Sequence, residues 1–262
     1  ELNDRGVASG ALFNLGRAYG DQGNLDEAMK CYERCMTLME DEGDQAGIGS
    51  IVNNVGLIHL THGRFAEARE CFQRKLAISE SLGDRYGILA ALGNTGSILE
   101  HEGRFQEAID YYSRSQAISE EIGNRIGVGY SLGCIGTVYQ RMNRPAEAIE
   151  YQMKGLDIHR SAGHRRGCIT WLVNLATIFI SAATDESEPP VWLDHHITSK
   201  EGEPWRESLI RVASEHLAEI DSYTVDMGDS DLSGFVEVCR ARLEATRGEN
   251  NRACTRLKEL LA

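Results

Sequence analysis

Residues 54–85 carry three short signals in a row: Asn54-Val55-Gly56, then Gly63-Arg64-Phe65-Ala66-Glu67-Ala68, then Gly83-Asp84-Arg85. The first recurs as Asn14-Leu15-Gly16, Asn94-Thr95-Gly96, Cys134-Ile135-Gly136 and Asn174-Leu175-Ala176, always at a step of 40 residues. Ala28, Ala68, Ala108 and Ala148 keep that step, and so do Gly43, Gly83, Gly123 and Gly163. A fixed step of this size marks an array in which each unit buries its apolar face against the next.

Within the unit, Ile48, Ile51, Val52, Val55 and Ile58 fall at helical spacing and predict a first helix from about Asp44 to Thr61. Gly63-Arg64 breaks it. A second helix is expected from about Phe65 to Leu82, carrying Phe65, Ala68, Phe72, Leu76 and Ser79. Asp44 and Asp84 suit the N-cap, where a side-chain oxygen accepts from orphan N–H groups, and the glycine before each suits the left-handed residue that ends a helix. Gly16, Gly56, Gly96 and Gly136 sit inside the first helices, where glycine costs about 1 kcal/mol relative to alanine. A recurring cost needs a recurring reason, and close approach of the paired helices supplies one. Leucine at Gly96 is expected to pry its pair apart.

The pairs Gly16/Ala28, Gly56/Ala68, Gly96/Ala108 and Gly136/Ala148, with Tyr32, Phe72 and Tyr112 one turn further on, resemble tetratricopeptide repeats across residues 8–180. With its turns at Gly83–Gly87 and Gly123–Gly127, the 40-residue unit is most similar to the repeats of the Pins/LGN polarity adaptors. It is more distantly similar to those of kinesin light chains and bacterial regulatory solenoids. The resemblance implies an all-α fold, a right-handed superhelical solenoid of antiparallel helix pairs. It also implies one array over 1–262 with five clear repeats and a weak sixth.

The pattern breaks after Ala176, because the next small residue of a second helix is Ala213 rather than one 12 positions on. An insertion of 25 residues near 181–206 results. It holds Asp185-Glu186-Ser187-Glu188-Pro189-Pro190-Val191-Trp192-Leu193-Asp194-His195-His196 and runs to Pro204-Trp205. Prolines and two tryptophans predict a loop with apolar anchors, folded back on the fifth repeat near Thr177, with Asp185, Glu186 and Glu188 facing Arg141. Asp194-His195-His196 is a polar loop segment on this reading, because the metal motif it resembles needs strands that the sequence does not predict. The register returns at Gly228-Asp229 and at Gly248-Glu249-Asn250 before Ala253, in a sixth unit weakened by Glu237 and Arg240. Asn3-Asp4-Arg5-Gly6 resembles an inter-repeat turn, so the chain is expected to be part of a longer one.

A net charge of −13 without a dense basic stripe argues against a nucleic-acid partner. No apolar run near the ~18 residues of a membrane span is apparent, and no secretory signal opens the chain, so no membrane insertion is expected. Seven cysteines without a Cys-x-x-Cys pair, Cys31 and Cys35 sharing one helix face, fit a reduced, cytoplasmic protein. The sequence shows no nucleophile motif, phosphate loop or metal-ligand spacing. The expectation is a non-enzyme without cofactor or metal.

What remains is a surface. The resemblance places the first helices of successive repeats along a concave groove, in which Asn14, Asn54, Asn94, Cys134 and Asn174 form one column and Arg17, Leu57, Ser97, Thr137 and Thr177 the next. An asparagine side chain has a donor and an acceptor, so a ladder of them can pair with an extended peptide backbone. Equally, each can bridge its helix to a neighbouring repeat. Gly93 and Gly133 are expected to leave room for partner side chains, with Arg17, Arg141 and His101 as cationic or polar anchors against Asp21 and Glu100. The candidate peptide-binding set is therefore Asn14, Arg17, Asn54, Asn94, Ser97, His101, Thr137, Arg141, Asn174 and Thr177. The expected partner is a protein or peptide segment, with intramolecular contact from the insertion or a further domain as a variant of it. A sensor module governing a fused effector and an inert spacer are the other readings.

Overall fold

The structure, a computed structural model, describes residues 2–184, 188–198, 200, 203–224 and 230–260. Every element among them is helical: α1 (Leu2–Asp21), α2 (Leu25–Glu42), α3 (Gln45–Thr61), α4 (Phe65–Leu82), α5 (Arg85–His101), α6 (Phe105–Glu121), α7 (Arg125–Arg141), α8 (Pro145–Ser161), α9 (Arg165–Thr184), α10 (Leu193–His196), α11 (Trp205–Thr224), α12 (Ser230–Thr246) and α13 (Asn250–Leu260). The boundaries of α3 and α4 agree with the expectation. Asp44 and Asp84 cap as expected, accepting from the N–H of Gly47 and Gly87 at 2.9 Å, and Asn124 accepts from Gly127 at 3.0 Å. Gly43, Gly83, Gly123 and Gly163 hold φ between 65° and 70°, and Asn143 (φ 57°) takes the left-handed place that Gly63 and Gly103 hold in earlier repeats.

The chain forms two compact units, residues 1–122 and 123–262. In the first, α1/α2, α3/α4 and α5/α6 pack as pairs, and α1, α3 and α5 also touch one another in series. Among the described residues no comparable contact joins α2, α4 and α6. The first helices therefore form the inner layer of this unit. Tyr32, Phe72 and Tyr112 lie over the interior glycines, and a Cβ on Gly16, Gly56 or Gly96 would sit 2.7–2.8 Å from the ring it faces. The glycine is thus the recess that receives the aromatic ring. Lys75 is buried in α4 at the register of Cys35 and Ser115, with its amine 3.6 Å from the capping carboxylate of Asp84.

In the second unit, α7 and α8 approach so closely that a Cβ on Gly155 would lie 2.7 Å from the Gly129 carbonyl oxygen. α9 is the core helix, burying twelve residues from Gly167 to Ala183 against α8, α11 and α12. The expectation of no membrane-length apolar run fails here. By length and composition Arg165–Thr184 is long and apolar enough to cross a bilayer, and the run exists because this helix is covered on several sides.

Two boundaries also differ. α1 already includes Asn3–Gly6, expected to be a turn: position 3 has Asn where Gly43 ends the later helix, so the helix continues. α9 runs to Thr184 and Trp205 opens α11, so the connection between them is 185–204, and Trp205 is helical rather than in the loop. α11 pairs with α9 in place of an ordinary second helix, with Ala213 buried at the expected small position. Gly228-Asp229 lies outside the described residues. In the sixth pair, the charges at Glu237 and Arg240 are satisfied: Arg240 bonds Glu237 and Asp221, and Arg256 bonds Glu237 and Glu244.

Candidate functional site

The inner layer of the first unit brings Asn14, Asn54 and Asn94 onto successive first helices. Asn14 and Arg17 are exposed, Asn54 and Asn94 half-buried, with Leu57 exposed and Ser97 half-buried beside them. The amide of Asn94 donates to Asn53 Oδ1 at 3.1 Å, a bridge from the third repeat to the second. The Asn54 amide stands near the Tyr32 hydroxyl, whose pKa burial pushes up. The bridge from Asn94 uses part of an amide that can make up to four hydrogen bonds. Asn53, absent from the expected set, is therefore part of this surface. The Asn53-Asn54 doublet was the signal for it.

His101 is exposed, and its ring stacks on Phe65 with centroids 5.7 Å apart and planes at 15°. Glu100 accepts from the Tyr112 hydroxyl at 3.5 Å. Around Gly93 a Cβ would meet nothing within 4 Å, so the room expected there exists.

The remaining candidates belong to the second unit. Thr137 and Thr177 donate to carbonyls on their own helices, those of Gly133 at 3.2 Å and Val173 at 2.9 Å, which leaves their hydroxyls less available. Cys134 is buried, Asn174 half-buried and Arg141 exposed. The room expected at Gly133 is filled: a Cβ there would fall 2.2 Å from the Trp171 indole, which uses that glycine as its seat.

The insertion packs down as expected, but elsewhere. Trp192, Leu193 and Ile197 are buried, with the Trp192 ring 6.1 Å from Phe179, and Thr177 lies against α12 instead, 3.3 Å from Cys239 Sγ. The loop leaves α9 beyond Thr177 and covers its last turns. Glu203 fastens the far end by accepting from Ser208 Oγ, from the N–H of Lys200 and from Arg211, while Arg211 also donates to the Thr198 carbonyl. The Arg211 guanidinium and the other donors hold the Glu203 carboxyl down at about 2. Between the insertion, the α7–α8 turn and α9 lies a cleft of about 440 Å³, lined by Gln140, Asn143, Ile178, Glu188 and Trp192 among others. Asp185, Glu186 and the side chain of Asp194 are outside the described residues, so the acidic face and the Asp-His-His segment are defined only at Glu188, His195 and His196. Glu188 and His195 are exposed, and the His196 ring lies 6.5 Å from Trp192.

The model of the tetratricopeptide repeat matches residues 7–81, 47–121 and 87–161 in overlapping frames, more than half of the chain. The chain belongs to the tetratricopeptide repeat family. No curated protein matches it by sequence. Among solved structures, this tetratricopeptide repeat chain is similar to the apo form of RapI, at 12% identity and a TM-score of 0.68 over 96% of this chain and 81% of that one. It is similar to the STAND protein with a tetratricopeptide repeat sensor PH0952 from Pyrococcus horikoshii, at 17% identity and 0.64, covering 99% of this chain and 36% of that one. A Rap protein complexed with Competence and Sporulation Factor matches at 11% and 0.61, over 97% and 74%. At such identities the likeness is one of fold.

Proposed function

We propose that the chain is a non-catalytic, cytoplasmic interaction module that takes a protein or peptide segment on the inner layer of its first unit. The observation that supports this most is the series Asn14, Asn54 and Asn94 on helices that touch one another, with amide capacity beyond the Asn53–Asn94 bridge and open space at Gly93. An extended segment presents N–H and C=O groups at a repeat that amide side chains can match. The likeness to the Pins/LGN type of repeat belongs to this reading, as does the Rap structure solved with a bound factor. The second reading is a regulatory sensor module, favoured by the insertion that folds back on the second unit and by the likeness to the STAND sensor.

Pull-down with the chain as bait, followed by peptide arrays of the recovered protein, supplies the ligand. Asn54→Ala combined with Asn94→Ala is then expected to weaken its binding at least tenfold, about 1.4 kcal/mol, with little change in the melting curve. Retained binding with lost stability would mean that the amides only join the repeats.

A further inference from the structure

Four helix caps in the same register can be compared among the described residues: Asp44, Asp84, Asn124 and His164. Within the two units, three of them stand five positions after a residue from the last turn of a second helix: Asp44 after Met39, Asp84 after Ser79, and His164 after His159. At Asp44, Asp84 and Asn124 an oxygen accepts from the N–H three residues beyond the cap. At the remaining cap, His164 Nδ1 accepts from the Gly167 N–H at 3.1 Å. Both members of the pair have become histidine at the same junction. An amide oxygen keeps its lone pairs as pH falls below neutral, and an Asp carboxylate does so down to its own low pKa, whereas an imidazole nitrogen accepts only while unprotonated.

The geometry defines the proton arrangement. His164 Nδ1, as an acceptor, carries no proton; it stands 3.1 Å from His159 Nδ1, and the tautomer that avoids two facing lone pairs has His159 Nδ1–H share that lone pair with the Gly167 N–H. His159 Nε2 is left bare, buried and without a partner. His159 is 1% exposed, its ring 4.8 Å from that of His164 and 6.4 Å from the Trp171 indole. A second proton has no good place. On His159 Nε2 it would make a buried N–H without an acceptor; on His164 Nδ1 it would remove the cap and set two N–H groups against each other.

The surroundings offer a cation no carboxylate. α7 presents Gly129 and, across Trp171, Tyr130; His164 caps α9, which presents Gly167 and Trp171. On α8 itself, Arg160 is turned away to Asp157 and to Glu219 of α11. Arg165 and Arg166 beside the cap are exposed, and on α10, His196 faces Trp192. Among the described residues no carboxylate contacts either imidazole.

We propose that the α8–α9 junction is a proton-operated joint, which holds at neutral pH and releases the start of α9 as the medium becomes acidic, while the junctions capped by Asp44 and Asp84 stay closed. Burial, with the His164 charge second, pushes the His159 pKa down to about 4 from the ordinary value near 6.5. The folded state therefore disfavours the proton relative to the unfolded chain. The stability is fully present above about pH 6.5 and is lost as pH falls from there towards 4.

Amide hydrogen exchange on the full chain between pH 7.5 and 4.5, corrected for intrinsic rates, compares the four capped amides directly. Protection at Gly167 is expected to fall about tenfold while that at Gly47, Gly87 and Gly127 stays level. In His159→Gln combined with His164→Asn, which places the Asn124 type of cap at this junction, the pH dependence at Gly167 is expected to vanish. Equal pH profiles at Gly167 and Gly87 in the unaltered chain would overturn the proposal, as would a double variant that keeps the dependence. Should the double variant fail to fold, the comparison of junctions in the unaltered chain decides alone.

Discussion

Gly155→Leu is expected to cost at least about 3 kcal/mol, the upper end of what overpacking does, and to abolish the cooperative melting of the second unit. The reason is the nature of the obstacle. A Cβ at 155 meets the Gly129 carbonyl oxygen at 2.7 Å and the Gly133 nitrogen at 3.2 Å, both backbone atoms of α7 that cannot rotate aside. Only separation of α7 from α8 makes room. Gly96→Leu provides the graded comparison, because the nearest atoms there belong to the Tyr112 ring at 2.8 Å, which can swing. A smaller loss, about 1–2 kcal/mol, is expected for it. Thermal or urea melts of both variants check the order, and an equal loss would mean that the ring is as immovable as the backbone.

Phe72→Ala is expected to destabilise the first unit by about 3–5 kcal/mol. Its ring is 0% exposed and packs with Ala68 and Ile98 over the recess at Gly56. Truncation empties that recess, and the neighbouring helices cannot close on it without breaking the contacts of α4 with α3 and α5. Gly56→Ala alone should also destabilise, since its Cβ would stand 2.7 Å from the same ring. In a double-mutant cycle measured by urea denaturation, Gly56→Ala is expected to cost less in the Phe72→Ala background than in the unaltered chain. Simple additivity would show that the two residues do not share one space.

The fold was legible because it is periodic: caps, left-handed glycines and the glycine-aromatic pairs announce themselves by recurring. Single-copy features were less so. Gly133 looks like open space when compared with Gly93, and only the fold shows Trp171 above it, a residue whose counterparts Ser131 and Ala91 are too small to suggest a lid. Apolar residues all around α9 likewise depend on α12 and on an insertion that no repeat rule anticipates. The binding surface was legible as a column of asparagines but not as a set of bonds. The Asn53–Asn94 bridge spans 41 residues, one more than the repeat, and a reading confined to a 40-residue step passes over it. Nothing in their spacing singles out His159 and His164 in the sequence. Their meaning comes from standing where Ser79 and Asp84 stand.

α9 and α11 pack as a pair although 20 residues join them, where α3 and α4 are joined by three. The added closure entropy of so long a connection is only about 1.7 kcal/mol, and the buried Trp192, Leu193 and Ile197 offset it on the spot. The length of the connection is therefore nearly irrelevant to this hairpin. The α9–α11 connection is thus the place where the array can be lengthened again while the two helices stay paired.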